Sequence, residues 1–146
     1  MGQAYKKLKS FMKKYPGGVH WRLKQHCEVI DLHLNPNEEL KFIVAGQLDN
    51  KPVSFLNTAV LAITSERLLI AQNYVLAGYK FSSITPDLYN DMQVYSRILW
   101  GIVCIDTVKE KIYLSNLPIK ALPKIETEIT MFMQEAKKKY YQDQDN

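Results

Sequence analysis

The chain of 146 residues is 47% hydrophobic and 23% charged, the composition of one ordinary globular domain with an appendage. Its net charge of +4 is uneven: residues 1–27 carry Lys6, Lys7, Lys9, Lys13, Lys14, Arg22 and Lys24 with no acid, a local +7, and the remainder is −3. The longest uncharged run, Pro52 to Ser65, is 14 residues, which excludes a transmembrane helix of about 18–20 residues.

The basic start is not followed by the apolar core of a signal peptide. Lys6 stands where a myristoylation signal needs Ser or Thr. Cytoplasm is therefore the expected location. Cys27 and Cys104 fall in different predicted elements and are expected to be buried thiols in a reducing compartment; a disulfide between them stays open at this point.

Residues 3–15 read as an amphipathic helix. Ala4, Leu8, Phe11, Met12 and Tyr15 recur at helical spacing, and lysines dominate the rest. Pro16-Gly17-Gly18 stops it. A second helix is predicted from about Val19 to Leu34, on the stripe Leu23, Cys27, Ile30 and Leu34. Its last residues also alternate, so an extended ending is open. Asn35-Pro36-Asn37 ends the element, because a residue before proline is pushed out of the helical region. The expected organisation is a helical extension over 1–34, a domain over 35–141 and a frayed polar tail over 142–146.

Strands follow. Leu40 to Gly46 is the first, and Gln47 to Lys51 is a polar turn. Val53 to Thr64 and Arg67 to Gln72 come next, joined through Thr64-Ser65-Glu66-Arg67, and this hairpin is the centre of the chain. Both arms are apolar on both faces. Periodicity alone leaves a buried helix open there; dense branching and the central charged pair favour strands.

Leu76 to Phe81 is a fourth strand, broken by Ser82-Ser83 and Thr85-Pro86. Leu88 to Tyr95 is ambiguous, with a turn at Asn90-Asp91 as one alternative. Ile98 to Asp106 is a strand with Trp100 and Cys104 on one face and Leu99, Val103 and Ile105 on the other. Lys111 to Ser115 pairs back across the turn Thr107 to Glu110. Leu117 to Pro123 leads into a last helix, since proline is tolerated in a first turn. Leu122, Ile125, Ile129, Phe132 and Ala136 make its apolar face. Glu126 and Glu128 near its start and Lys137, Lys138 and Lys139 at its end suit the helix dipole. One core should gather Ile63, Leu68, Ile70, Ile102, Cys104, Ile125, Ile129 and Phe132.

Six or seven short strands followed by one helix is the order of a pleckstrin-homology-like (PH-like) barrel. The segment Val60 to Ile70, with its apolar–Thr–x–x–Arg–apolar hairpin, resembles the YokE-like bacterial PH domains. Tyr79 to Ile84 and Asn35-Pro36-Asn37-Glu38-Glu39 are similar to further segments of that family. The resemblance covers about residues 35–136. It implies an α+β, mainly β fold: a barrel of about seven antiparallel strands capped by a C-terminal helix, here preceded by two N-terminal helices. It also implies an interaction or assembly module rather than an enzyme, and it carries over no catalytic residue and no cofactor. PH domains that hold inositol phosphates cluster bases around the first hairpin. Gln47 to Lys51 offers one base against one acid, which speaks against that ligand.

The remaining candidates are sparse. His26 and His33 share a helix face but stand seven residues apart, roughly 10.5 Å at 1.5 Å per residue, too far for one metal ion. No G-x-S-x-G, H-E-x-x-H, G-x-x-x-x-G-K or G-x-G-x-x-G is present. Gly78 reads as a strand irregularity, and Glu38-Glu39 as the solvated approach to a strand. Asp87 and Asp91 pair carboxylates in a loop with nothing to raise a pKa.

Lys6, Lys7, Lys9, Lys13 and Lys14 are thus the candidate interaction residues. They suit an anionic membrane surface. Nucleic acid is the weaker alternative, because the helix lacks Arg, the usual base reader. The plainer reading docks Leu8 and Phe11 on the chain's own domain and leaves the lysines in water. The expected function is a non-enzymatic module acting through protein–protein contacts or self-association, with anionic-surface binding as the alternative. No small-molecule substrate, metal or cofactor is evident.

Overall fold

A computed structural model of the chain describes residues 2–51 and 54–144. Helices α1 (Gln3–Lys14) and α2 (Leu23–His33) precede seven strands. These are β1 (Leu40–Gln47), β2 (Thr58–Thr64), β3 (Leu68–Asn73), β4 (Tyr79–Ile84), β5 (Tyr89–Ser96), β6 (Gly101–Thr107) and β7 (Lys111–Leu117). Helix α3 (Leu122–Gln144) follows. The strands pair antiparallel in the order β4-β3-β2-β1-β7-β6-β5. β1 meets β7 through the single pair Gln47 and Ser115, so the sheet folds into a four-stranded and a three-stranded half. With α3 packed between them, this is the PH-like barrel expected from the order of elements.

Two cores explain why the β2–β3 hairpin is apolar on both faces. Successive side chains of a strand point to opposite faces. Phe42, Val44, Leu61, Ile63, Leu68 and Ile70 point inward and meet Val103, Ile105 and Leu114. Leu122, Ile125, Ile129 and Phe132 of α3 fill the same interior. The alternate residues Ile43, Ala45, Val60, Ala62, Leu69 and Ala71 point outward and are buried beneath Ala4 and Leu8 of α1 and Cys27 and Ile30 of α2. Ala45, Ala62 and Ala71 are small, which lets those helices come close to the sheet. Left bare, this outer face would be a large contiguous apolar patch. The apolar face of α1 is therefore docked on its own chain, with Leu8 fully buried.

Several expected boundaries move. α2 starts at Leu23 rather than Val19, because Arg22 takes the left-handed conformation at φ 52° and ψ 38° and blocks an earlier helical start. The last turn is helical through His33, which closes the extended alternative, and only the capping Leu34 is extended, with ψ 133°. Phe55–Asn57 forms a short 3-10 turn, so β2 begins at Thr58; the expected start at Val53 lies outside the described residues. β4 starts at Tyr79 rather than Leu76. Tyr74 N–H donates to the Gly78 carbonyl at 3.0 Å and Gly78 sits at φ 80°, a turn conformation open to glycine. Gly78 is a hairpin turn, not a strand irregularity, and Ser82 and Ser83 lie inside the strand. The ambiguous stretch Leu88 to Tyr95 resolves as β5 from Tyr89 onward, with Leu88 closing a short 3-10 turn and a bulge between Tyr89 and Asp91 in place of a turn.

Two corrections bear on β6. The strand begins at Gly101, and an added Cβ there would lie 2.5 Å from Leu122 of α3, so glycine is what allows the close approach. Ile98 and Leu99 stand instead at the tip of a turn closed by Arg97 N–H donating to the Trp100 carbonyl at 2.9 Å. They are 95% and 80% exposed. Ile102 and Cys104 were expected in the barrel core. Alternation gives the interior to Val103 and Ile105, and Ile102 and Cys104 are buried on the opposite face.

Candidate interaction surface

Lys6, Lys7, Lys9, Lys13 and Lys14 are all exposed along α1. At about 100° per residue they share one arc roughly 160° wide, opposite Leu8 and Phe11. Lys9 lies over the Tyr5 ring at 5.1 Å and Lys14 over the Tyr15 ring at 5.7 Å. Phe11 reaches the barrel, meeting Phe42 edge-on at 5.3 Å between centroids. The helix thus presents charge and keeps its apolar residues against the sheet. It offers an anionic surface Coulomb attraction and no insertion.

The motif residues of the hairpin meet in one network. Arg67 Nε donates to Glu38 Oε2 and Arg67 NH2 to Glu38 Oε1, both at 2.9 Å. The same guanidinium donates to the His33 carbonyl at 2.8 Å and to Ser83 Oγ at 3.2 Å. Thr64 Oγ1 donates to Glu38 at 2.5 Å and accepts the N–H groups of Glu66 and Arg67. Asn35 N–H donates to Glu38 Oε1 at 3.0 Å. Glu38 is buried, contrary to the solvated position expected for it. Its burial alone would raise the carboxyl, but the hydrogen bonds from Arg67, Thr64 and Asn35 and the Arg67 charge outweigh that and hold it at about 2. Phe81 lies beneath Arg67 and stacks on His33 at 4.1 Å, and Tyr79 Oη meets His33 Nε2 at 3.2 Å. Each nitrogen of the Arg67 guanidinium has a partner, so this is a structural clamp between the end of α2, β1 and the β2–β3 hairpin.

The other titratable candidates are likewise engaged in the fold. His26 is buried and its Nδ1 accepts the Asn73 N–H at 2.8 Å. Burial, reinforced by the Arg22 charge, lowers it to about 4. His20 is exposed and apart from it. Cys27 and Cys104 are buried free thiols, and burial pushes Cys27 up to about 12, with Asp31 and Glu28 adding to it. Asp87 and Asp91 are exposed on either side of the start of β5.

Two of the concave surfaces lie beside inter-strand turns. One, about 440 Å³, sits at the barrel mouth between Asp49, Lys51, Lys80, Ser82, Glu110 and Lys111. Its charges are mixed, and Asp49 is occupied by Gln47 and Asn57, each at 2.5 Å. The other is a groove of about 870 Å³ between the α1–α2 linker, the Phe55 turn, the Ile98-Leu99 tip and the segment after β7. Tyr15, Val19, Phe55, Leu99, Trp100 and Ile119 give it an apolar lining, and Lys14, His20 and Lys120 are its charged or titratable residues. Phe55 and Leu56 are 61% and 69% exposed, and Trp21 flanks Phe55 at 6.3 Å. Sequence reasoning missed this groove. Ile98 and Leu99 carry the same apolar signal as a strand residue, and nothing local marks them as a turn tip.

Among the described residues no helix is long and apolar enough to cross a membrane. No family model matches the chain, and no curated protein matches it. Four solved chains are similar to it, among them two from Shewanella. One is a DUF1696 family protein with a pleckstrin-homology domain from Shewanella loihica PV-4: 11% identity, TM-score 0.48, covering 82% of this chain and 96% of that one. The other is a pleckstrin homology domain from Shewanella amazonensis SB2B: 15% identity, TM-score 0.47, covering 86% of this chain and 98% of that one.

Proposed function

We propose that this chain is a non-enzymatic PH-like interaction module, working in the cytoplasm through protein–protein contacts. The observation that carries the reading is the exposed apolar cluster of Phe55, Leu56, Ile98 and Leu99 beside a groove. Large side chains at a turn tip cost solvation and contribute nothing to the barrel core, so their use lies outside the fold. Placement with the YokE-like group rests on the hairpin motif, whose Thr64 and Arg67 share Glu38 as partner. A pull-down from the native host with the wild type and an Ile98→Asp/Leu99→Asp variant tests the function. Proteins retained by the wild type and lost by the variant support it. Equal retention by both, or no protein above the bead control, overturns it.

A second reading is favoured by the arc of five exposed lysines on α1. Lys6, Lys7, Lys9, Lys13 and Lys14 would hold an anionic lipid surface by charge alone. Sedimentation with anionic vesicles should then be lost on changing the five lysines to glutamine, and should fade with salt. Sedimentation unchanged by the five substitutions would remove this reading.

A further inference from the structure

We infer that the groove between Tyr15 and Lys120 receives an acidic, amphipathic segment of a partner protein. The inference rests on the protein-contact reading above and names the chemistry of its partner. Charge complementarity selects that occupant. The lining carries Lys14, Lys120 and His20 and no carboxylate, and Arg97 stands immediately before the exposed tip. The C-terminal end of α1 brings free carbonyls to the same place, a partial negative charge that Lys13 and Lys14 offset. The rim therefore attracts acid, and the apolar lining takes aliphatic or aromatic side chains.

Shape separates a peptide from a bilayer. The groove floor is recessed: Val19 and Leu117 line it and are nearly buried. A flat lipid surface would touch the Ile98-Leu99 tip and leave that floor unfilled. A peptide ridge of side chains spaced one helical turn apart can enter it. The apolar face of α1, which could otherwise insert into a lipid surface, is already spent on β1 and the barrel.

The two tryptophans of the chain report on this place, since Trp100 lines the groove and Trp21 flanks Phe55. The experiment titrates the full chain with a helical peptide bearing leucines at i, i+3, i+4 and i+7 and glutamates elsewhere. A peptide with lysines in place of the glutamates, and vesicles of mixed zwitterionic and anionic lipid, are titrated in parallel. The glutamate peptide should shift the tryptophan emission saturably. Lys14→Glu/Lys120→Glu and Leu99→Ser should each weaken it by about tenfold, with more loss in salt. These residues are exposed, so circular dichroism should show every variant folded.

No saturable binding of the glutamate peptide overturns the inference. So does equal binding of the lysine peptide, insensitivity to the charge reversal, or vesicle binding through Leu99 without peptide binding. Failure here with host proteins still lost from Ile98→Asp/Leu99→Asp would reject the acidic partner and leave the protein-contact function standing. Failure of both experiments would reject both.

Discussion

Arg67 grips Glu38 with two parallel hydrogen bonds of 2.9 Å, and Glu38 has no accessible side-chain surface. The pair joins residues 29 positions apart and ties the approach to β1 to the β2–β3 hairpin. Breaking a buried pair by removing one partner typically costs about 3–5 kcal/mol. Arg67→Lys should lose most of that, because an ammonium cannot reproduce the fork or reach His33 and Ser83 together. Urea melts that move by less than about 1 kcal/mol would show the clamp is dispensable.

Acid should unfold the chain in two windows. The buried His26 is held neutral down to about 4 against an ordinary 6.5. The unfolded chain therefore binds the extra proton first, and stability falls as pH drops from 6.5 towards 4. Glu38 is held at about 2 against 4.5, so the stability it contributes is present above 4.5 and lost as pH falls towards 2. Each window is worth on the order of 3 kcal/mol. His26→Gln should flatten the upper window and Glu38→Gln the lower. Melts at stepped pH that keep the full slope in either variant would assign it to another group.

Phe132 is buried in the barrel core between α3 and the strands. Phe132→Ala should cost about 3–5 kcal/mol, the usual figure for emptying such a site. A loss below about 1 kcal/mol in urea would mean α3 does not plug the barrel.

Leu8 of α1 is fully buried on the chain's own sheet. A 12-residue helix is marginal alone in water, so its order reports docking. The amides of residues 8–12 should be protected from exchange at every dilution and without lipid. Leu8→Ala should release that protection and cost about 2–5 kcal/mol. Protection that vanishes on dilution would place the docking surface on a neighbouring copy.

Local patterns determined much of this protein. Helical spacing marked α1 and α3, turn residues separated most strands, and the crowding of bases before residue 28 is a property of sequence alone. The two-sided apolar hairpin was legible too, but what covers its outer face was not. Periodicity says that a face must be buried; only tertiary packing shows that α1 and α2 bury it. The same limit placed Ile102 and Cys104 wrongly, because a strand with apolar residues on both faces does not say which one faces the barrel. It hid Glu38, whose burial depends on a guanidinium 29 positions away. It hid the groove as well. Ile98 and Leu99 are apolar residues like those of a strand, and the pairing of Ser96 with Gly101 is what turns them out into water.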